Sequence, residues 1–285
     1  MVMKSILVSV EESDALSSVL TTALLAAQRF GSTIEGLCPR SAMGAFVVVE
    51  GMSAATSAAL ESFEVEEQER MRRARELFRS FMEDRGVAWD GPGKSSEEVS
   101  AGWLEELPPG DEAVTQRGRL YDLIVAGRPA PGAAVPRMST LEALIFESGR
   151  PVLIAPPAPP EALGEVIVVA WNGSTESARA VALAMPFLAQ ARKVYVLAVE
   201  GGSVPGPNAG ELAEHLVRNG LPAEATGIRP EGRSIGEAIL EETSSLGADL
   251  LVKGAYTHSR LRQMIFGGAT SHILAEAGLP VLVAH

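Results

Sequence analysis

The sequence holds a single cysteine, Cys38, and four histidines in 285 residues. One thiol excludes an internal disulfide and any cysteine-rich metal centre. With no histidine close to it in the chain, Cys38 reads as a small loop or core residue rather than a nucleophile. His215, His272 and His285 are scattered, without a second ligand at helical spacing, so no metal site is expected. Positive charge is also scarce. There are 24 Lys and Arg against 36 Asp and Glu, a net charge of −12 and a pI near 4.9. A surface of that sign disfavours general nucleic-acid binding and docking on anionic membranes. No apolar run reaches the ~18 residues of a membrane span. The first apolar stretch, Ile6-Leu-Val8, runs into Glu11-Glu12 and is too short for a signal peptide, so a cytoplasmic protein is expected. Aromatics are only 5%, and Trp89 and Trp103 are expected to pack rather than to form a stacking platform. At 46% hydrophobic residues, there is core material for one large or two ordinary domains.

What is present is an alternation of strands and helices. Ser5 to Val10 reads as a strand, followed by an Ala- and Leu-rich helix to Phe30, with Ser13 or Asp14 as its cap and Gly31 as its stop. Thr33 to Leu37 is a second strand, and residues 39–57 are expected to be loop. Glu61 to Arg85 is a long charged helix with Phe63, Leu77, Phe78 and Phe81 on an apolar side. Its arginines, Arg70, Arg72, Arg73 and Arg75, either bind phosphate or pair with the interleaved glutamates on a solvated face. Val87 to Trp89 is a third strand, Ser96 to Leu107 a helix broken by Pro108-Pro109, and Glu112 to Arg119 a further helical piece. Tyr121 to Gly127 and Pro151 to Ala155 are strands, with a helix at Thr140 to Ser148 between them.

After a stiff Pro156-Pro-Ala-Pro-Pro160 segment the plan repeats. Tyr121-Asp-Leu-Ile-Val-Ala-Gly127 parallels Ala248-Asp-Leu-Leu-Val-Lys-Gly254, and Glu147-Ser-Gly-Arg-Pro-Val-Leu-Ile-Ala155 parallels Glu276-Ala-Gly-Leu-Pro-Val-Leu-Val-Ala284. This duplication divides the chain into residues 1–156, a linker at 157–164, and residues 165–285. Each half is expected to be a doubly wound α/β unit with a parallel five-stranded sheet. Ligands of such sheets sit beyond the strand C-termini, where the strand order reverses. In the second half Asn172, Gly254 and Gly267 fall on that edge. Gly267 and Gly268 open a helix from about Thr270, so they either cradle an anion on free backbone N–H groups or simply permit tight packing.

These residues resemble the universal stress protein family. Its nucleotide-binding members carry glycine, two residues, glycine, nine residues, glycine, then serine or threonine. Gly254 takes the first place, Thr257 stands for the second glycine, Gly267 is the third, and Gly268 occupies the hydroxyl position, with Thr270 two residues on. Val168 to Ser174 resembles the family's first strand and loop, with Asn172 where an aspartate is usual. In the first half Gly127 survives, but Met138 and Ser139 replace the later glycine pair, so that site looks degenerate. The resemblance implies a Rossmann-like fold of the adenine nucleotide alpha hydrolase type. It also implies pairing of the halves through Val152-Leu-Ile154 and Val281-Leu-Val283 as an intramolecular pseudo-dimer, with association of two chains left open. It further implies a site for ATP or a related adenine nucleotide, with magnesium accompanying it. Ala170, Trp171 and Asn172 would lie at the adenine and ribose end, and Val199 beside the base. Gly254 and Thr257 would lie beneath the phosphates, and Gly267, Gly268, Ala269 and Thr270 would hold them through backbone N–H groups. His258, Arg260 and Arg262 either contact phosphates or form an exposed basic loop.

No Walker A and no Gly-x-Gly-x-x-Gly pattern is present, and no general base or nucleophile stands out. The expectation is therefore a non-enzymatic stress-response protein that binds an adenine nucleotide and hydrolyses it slowly or not at all. The other readings are an interaction module of the same fold that ignores nucleotide, and a ligase-like or hydrolase activity whose catalytic residue the sequence does not display.

Overall fold

The computed structural model of the chain describes residues 3–41, 54–89, 98–105, 108–129, 134–255 and 268–285. The first half runs β1 (Ser5–Ser9), α1 (Leu16–Phe30), β2 (Thr33–Leu37), α2 (Ala54–Glu83), β3 (Ala88–Trp89), β4 (Ser100–Trp103), α3 (Asp111–Gly118), β5 (Leu123–Ala126), α4 (Met138–Glu147) and β6 (Val152–Ile154). The second half runs β7 (Val166–Ala170), α5 (Thr175–Leu188), β8 (Lys193–Val199), α6 (Ala209–Arg218), β9 (Ala223–Ile228), α7 (Ile235–Ser245), β10 (Leu250–Gly254), α8 (Gly268–Glu276) and β11 (Val281–Ala284).

The two halves share one 11-stranded sheet, in the order β3-β4-β2-β1-β5-β6-β11-β10-β7-β8-β9. Strands are parallel within each half. The join is antiparallel, with Val281 opposite Ile154, Leu282 opposite Leu153 and Val283 opposite Val152. These are the segments expected to pair, and the pairing leaves neither final strand as an exposed edge. The strand order reverses beside β1 in one half and beside β7 in the other, since β7 pairs with β8 on one side and β10 on the other.

The expectation of five strands per half needs correction: the first half has six. Ser100-Ala-Gly-Trp103, expected to be helical, is a strand beside β2. It takes the place that β9 holds beside β8, and the two-residue β3 is an added edge. Helix α2 begins at Ala54, inside the segment expected to be loop, because the small residues before Glu61 continue the helix. Its inward stripe runs through Glu67, Ala74, Phe78 and Met82, while Leu77 is exposed. Neither Ser13 nor Asp14 caps α1: the N-cap is Ala15, which makes no side-chain cap bond. Caps appear in the second half, where Asn208 with Glu211 and Ser234 with Glu237 form capping boxes. Pro186 lies in the last turn of α5.

Side chains alternate across the sheet, so the protein has two cores rather than one. Ile6, Val8, Leu153, Val169 and Leu282 face one core with α1, α2, α5 and α6. Leu7, Val152, Val168, Leu251 and Val283 face the other with α3, α4, α7 and α8. Both cores cross the join, which rigidly couples the halves. The repeated aspartates explain part of the duplication. Asp122 accepts hydrogen bonds from the backbone N–H groups of Lys4 and Ser5. Asp249 does the same for Gly164, Glu165 and Val166. Each carboxylate thereby satisfies the N–H groups where the first strand of its half begins.

Arg29, at the end of α1, ties the halves together from the side. Its guanidinium donates to the carbonyls of Leu163, Gly164 and Gln190 and to Glu165. Phe30 packs edge-on against Phe187, with 4.8 Å between ring centroids. The Arg29 side chain is largely enclosed, whereas the Glu165 side chain is half exposed. Arg29→Ala is therefore expected to cost about 2 kcal/mol in urea unfolding, because three carbonyls lose a charged donor. Glu165→Ala should cost under about 1 kcal/mol. Equal losses would show that the ion pair, and not the carbonyl cluster, is what holds this corner.

Candidate functional site

A cleft opens at the C-terminal ends of β7, β8 and β10. It sits at the reversal of strand order, where doubly wound sheets bind ligands. Of the residues expected at the site, Ala170, Trp171, Asn172, Val199, Gly254 and Ala269 all line it. Thr257 and Gly267, together with His258, Arg260 and Arg262, lie outside the described residues. Gly268 and Thr270 stand on either side of Ala269 at the start of α8.

One rim is the loop after β7. The indole N–H of Trp171 donates to the carbonyl of Pro207 at 2.8 Å, and Val204 N–H donates to the carbonyl of Asn172 at 2.9 Å. These bonds pin the loop after β7 to the loop after β8. Trp171 is 7% exposed and forms a wall rather than a free stacking surface. Gly173 has φ +81°, and its carbonyl lies 2.4 Å from where a Cβ on Gly206 would sit, so both glycines are required by the close approach of the loops. The Asn172 side-chain carbonyl accepts from Ser174 N–H at 3.1 Å. Its amide N–H groups have no partner among the described residues and can donate to a ligand hydroxyl.

The floor is β10. A Cβ on Gly254 would lie 2.5 Å from Ser177 N and 2.6 Å from the Glu176 carbonyl carbon. Gly254 is a glycine because the first turn of α5 lies directly on it. The same packing sets the start of α5 against the end of β10. Helix α8 is set by Gly236, whose missing side chain admits His272 and the Ala269 carbonyl at 2.8 and 3.0 Å from the Cβ position. The N–H groups of Gly268, Ala269 and Thr270 belong to the first turn of α8 and have no intrahelical acceptor. The Thr270 hydroxyl is engaged by Lys253, whose Nζ donates to it at 2.7 Å.

Sequence reasoning missed Leu197, Gly202, Ile235, Ile239 and Lys253 in this lining. Ile235 and Ile239 are one turn apart on α7, but a sequence does not say against which element that face closes. Lys253 did carry a signal: it is a charged residue in an apolar strand covered on both faces.

The matching edge of the first half is filled by the protein itself. Glu11, at the register position of Asn172, is buried, and burial raises its carboxyl pKa while Arg137 and Arg70 pull it down. Arg70 reaches from α2 to the end of β2, donating to the carbonyl of Pro39 and to Glu67. Arg137 and Thr140 both donate to Asp111. Pro136 occupies the space above Gly127, 2.6 Å from a Cβ there. Arg70 does pair with an interleaved glutamate, Glu67, but enclosed at this edge rather than on a solvated face, whereas Arg72, Arg73 and Arg75 pair with exposed glutamates. Cys38 is buried against Arg70, and burial lifts its thiol to about 11, which makes it inert at neutral pH.

Two other features carry no chemistry. Gly232-Arg-Ser-Ile-Gly236 spells the Gly-x-Ser-x-Gly pattern of serine hydrolases, yet Ser234 has φ −68° and ψ 159° and accepts from Glu237 N–H. It is a relaxed capping serine, not a strained nucleophile. Among the described residues no cluster of acids, histidines or cysteine could hold a metal ion. No helix among them is long and apolar enough to cross a membrane.

The geometry separates two kinds of glycine. Gly254→Ala should lower stability by about 2 kcal/mol, because a methyl meets backbone that cannot swing aside. Gly268→Ser, with nothing within 4 Å of its Cβ position, should leave the melting temperature within the small range of surface changes. Thermal unfolding of the two variants checks both outcomes.

Residues 165–285 match the model of the universal stress protein family. No curated protein matches the chain in sequence. Among solved structures, a universal stress protein from Archaeoglobus fulgidus is 15% identical and covers 98% of this chain and 97% of its own, with a TM-score of 0.68. A putative universal stress protein from Pseudomonas aeruginosa is 18% identical over 99% of this chain and 93% of its own, with a TM-score of 0.53. At those identities the similarity speaks for the fold, and it extends over both halves. The C-terminal half, with its cleft at the reversal of strand order, matches the universal stress protein family, and the chain as a whole has the fold of solved structures of that family.

Proposed function

We propose that the protein is a stress-response protein that binds ATP or a related adenine nucleotide in the cleft of its second half. The observation that carries this reading is the convergence at one edge of an apolar wall, a glycine floor and the N-terminus of α8. Val199, Leu197, Ile235 and Ile239 offer a base an apolar slot. The Asn172 amide suits a ribose hydroxyl. The N–H groups of Gly268 to Thr270 suit phosphate oxygens, and the absence of a Cβ at Gly268 keeps the approach open. Magnesium would accompany the phosphates as their counter-ion.

No residue of the cleft is placed as a general base or nucleophile. Among the described residues its lining holds no carboxylate, and its polar side chains are Asn172, Lys253 and the indole of Trp171. The function is therefore binding, with hydrolysis slow or absent. The first half contributes no second site, because Glu11, Arg70, Arg137 and Pro136 fill the equivalent space.

Calorimetric titration of the full chain with ATP and magnesium is expected to give saturable binding of one nucleotide per chain. Phosphate release over the same hours should stay near background. Absence of heat at millimolar ATP would overturn the reading in favour of an interaction module that ignores nucleotide. Sustained turnover would overturn the non-enzymatic part.

A further inference from the structure

Among the described residues Lys253 is the one cation in the lining of the cleft, and the nucleotide reading above gives it no role. We propose that its ammonium is the charge contact of the site, meeting an anionic group of the ligand, so that the cleft selects phosphorylated adenine nucleosides over the uncharged nucleoside. This inference rests on the nucleotide reading and deepens it by naming the residue that sets ligand charge.

Four observations support it. First, the amine is particular to the working half. Lys253 lies in register with Ala170 on β7, and the residue at its place on β5 is Ala126, just before Gly127. Duplication of the fold therefore did not require a lysine here. Second, its partners are neutral. Nζ donates to the Gly254 carbonyl at 2.9 Å and to the Thr270 hydroxyl at 2.7 Å. An ammonium has three donors, so one remains for a ligand.

Third, no carboxylate pairs with Lys253 among the described residues, in contrast to three other enclosed cations. Arg29 pairs with Glu165, Arg70 with Glu67 and Arg137 with Asp111. An enclosed cation without a counter-ion is costly, and a bound anion relieves that cost. Fourth, the bond to Thr270 holds Nζ beside the first turn of α8, where unpaired backbone N–H groups already favour negative charge. A point charge and a helix terminus thus act on the same place.

Burial pushes the amine down to about 8, with no charged neighbour contributing. The ionisable side chains on the elements packed around this edge are Glu176 of α5, Glu237 of α7, His272 of α8 and His285 after β11. None of them is hydrogen-bonded to Lys253. The free protein therefore holds a mostly charged lysine at neutral pH that neutralises as the pH passes 8. An anion binds the charged form, so affinity is full below that point and declines above it.

The test titrates the full chain with adenosine, AMP and ATP, for the wild type and for Lys253→Met, which keeps the length of the side chain and removes its charge. The wild type should bind AMP and ATP more tightly than adenosine. Lys253→Met should lose about tenfold or more in affinity for AMP and ATP while its adenosine affinity stays unchanged, in line with the strength of a charged hydrogen bond. Wild-type ATP affinity should fall between pH 7 and pH 9, and the variant's should be flat across that interval. A thermal melt without ligand should show the variant folded and at least as stable, since a desolvated charge has been removed. The proposal is overturned if Lys253→Met binds AMP and ATP as the wild type does, or loses adenosine equally. If the wild type binds none of the three, the nucleotide reading itself has failed and the inference falls with it. These failures are distinguishable because the first two leave wild-type binding intact.

Discussion

The antiparallel pairing of β6 with β11 is the constraint on which the rest of the structure depends. A five- or six-stranded open sheet ending in Val-Leu-Ile or Val-Leu-Val would present an apolar edge with unmet N–H and carbonyl groups. Each half meets the need of the other, in one chain. The pairing also carries both cores across the join, so neither half buries its last strand alone. Because the join is antiparallel, the strand C-termini of the two halves leave the sheet at opposite edges. The two potential sites are therefore separate, and each is free to change without the other.

They have changed in different ways. In the second half the loops after β7 and β8 are locked to each other by backbone and indole hydrogen bonds, which holds a cleft open beside them. In the first half the inserted helix α2 and the cis-linked Pro136 bring side chains into the equivalent space. There Arg70 pairs with Glu67 and Arg137 with Asp111, and both arginines favour the charged form of the buried Glu11 carboxyl. The first copy has thus turned its ligand edge into a structural network, and the second has kept an edge whose one amine lacks a carboxylate partner among the described residues.

Much of this was legible in the sequence because it rests on short-range pattern. The paired runs around Asp122 and Asp249 announced the duplication, and the structure shows the aspartates performing the same backbone task in both copies. Ala170, Trp171, Asn172, Val199 and Gly254 come together at one cleft because each ends or directly follows a strand, and strand ends in this fold meet at one edge. Strand β4 was not legible. Ser-Ala-Gly-Trp has no β-branched residue and is flanked by glutamates, so local preference favoured a helix that tertiary pairing with β2 overrides. The plug in the first half was equally hidden, since Arg70 acts more than thirty residues away from Cys38 and Pro39. The face that Ile235 and Ile239 present depends on where α7 packs, which no local pattern states. Lys253 could have been noticed, because a charge within an apolar strand demands an explanation.

The central claim is that one half of the duplicated fold holds a working nucleotide cleft and the other holds a filled one. A crystal structure of the full chain grown with ATP and magnesium tests it most directly. The account predicts one nucleotide per chain, its base against Val199 and its phosphates at the start of α8 near Lys253, with Glu11, Arg70 and Arg137 unmoved in the first half. A nucleotide seated among Glu11, Arg70 and Arg137, or an empty second cleft at saturating ATP, would contradict it.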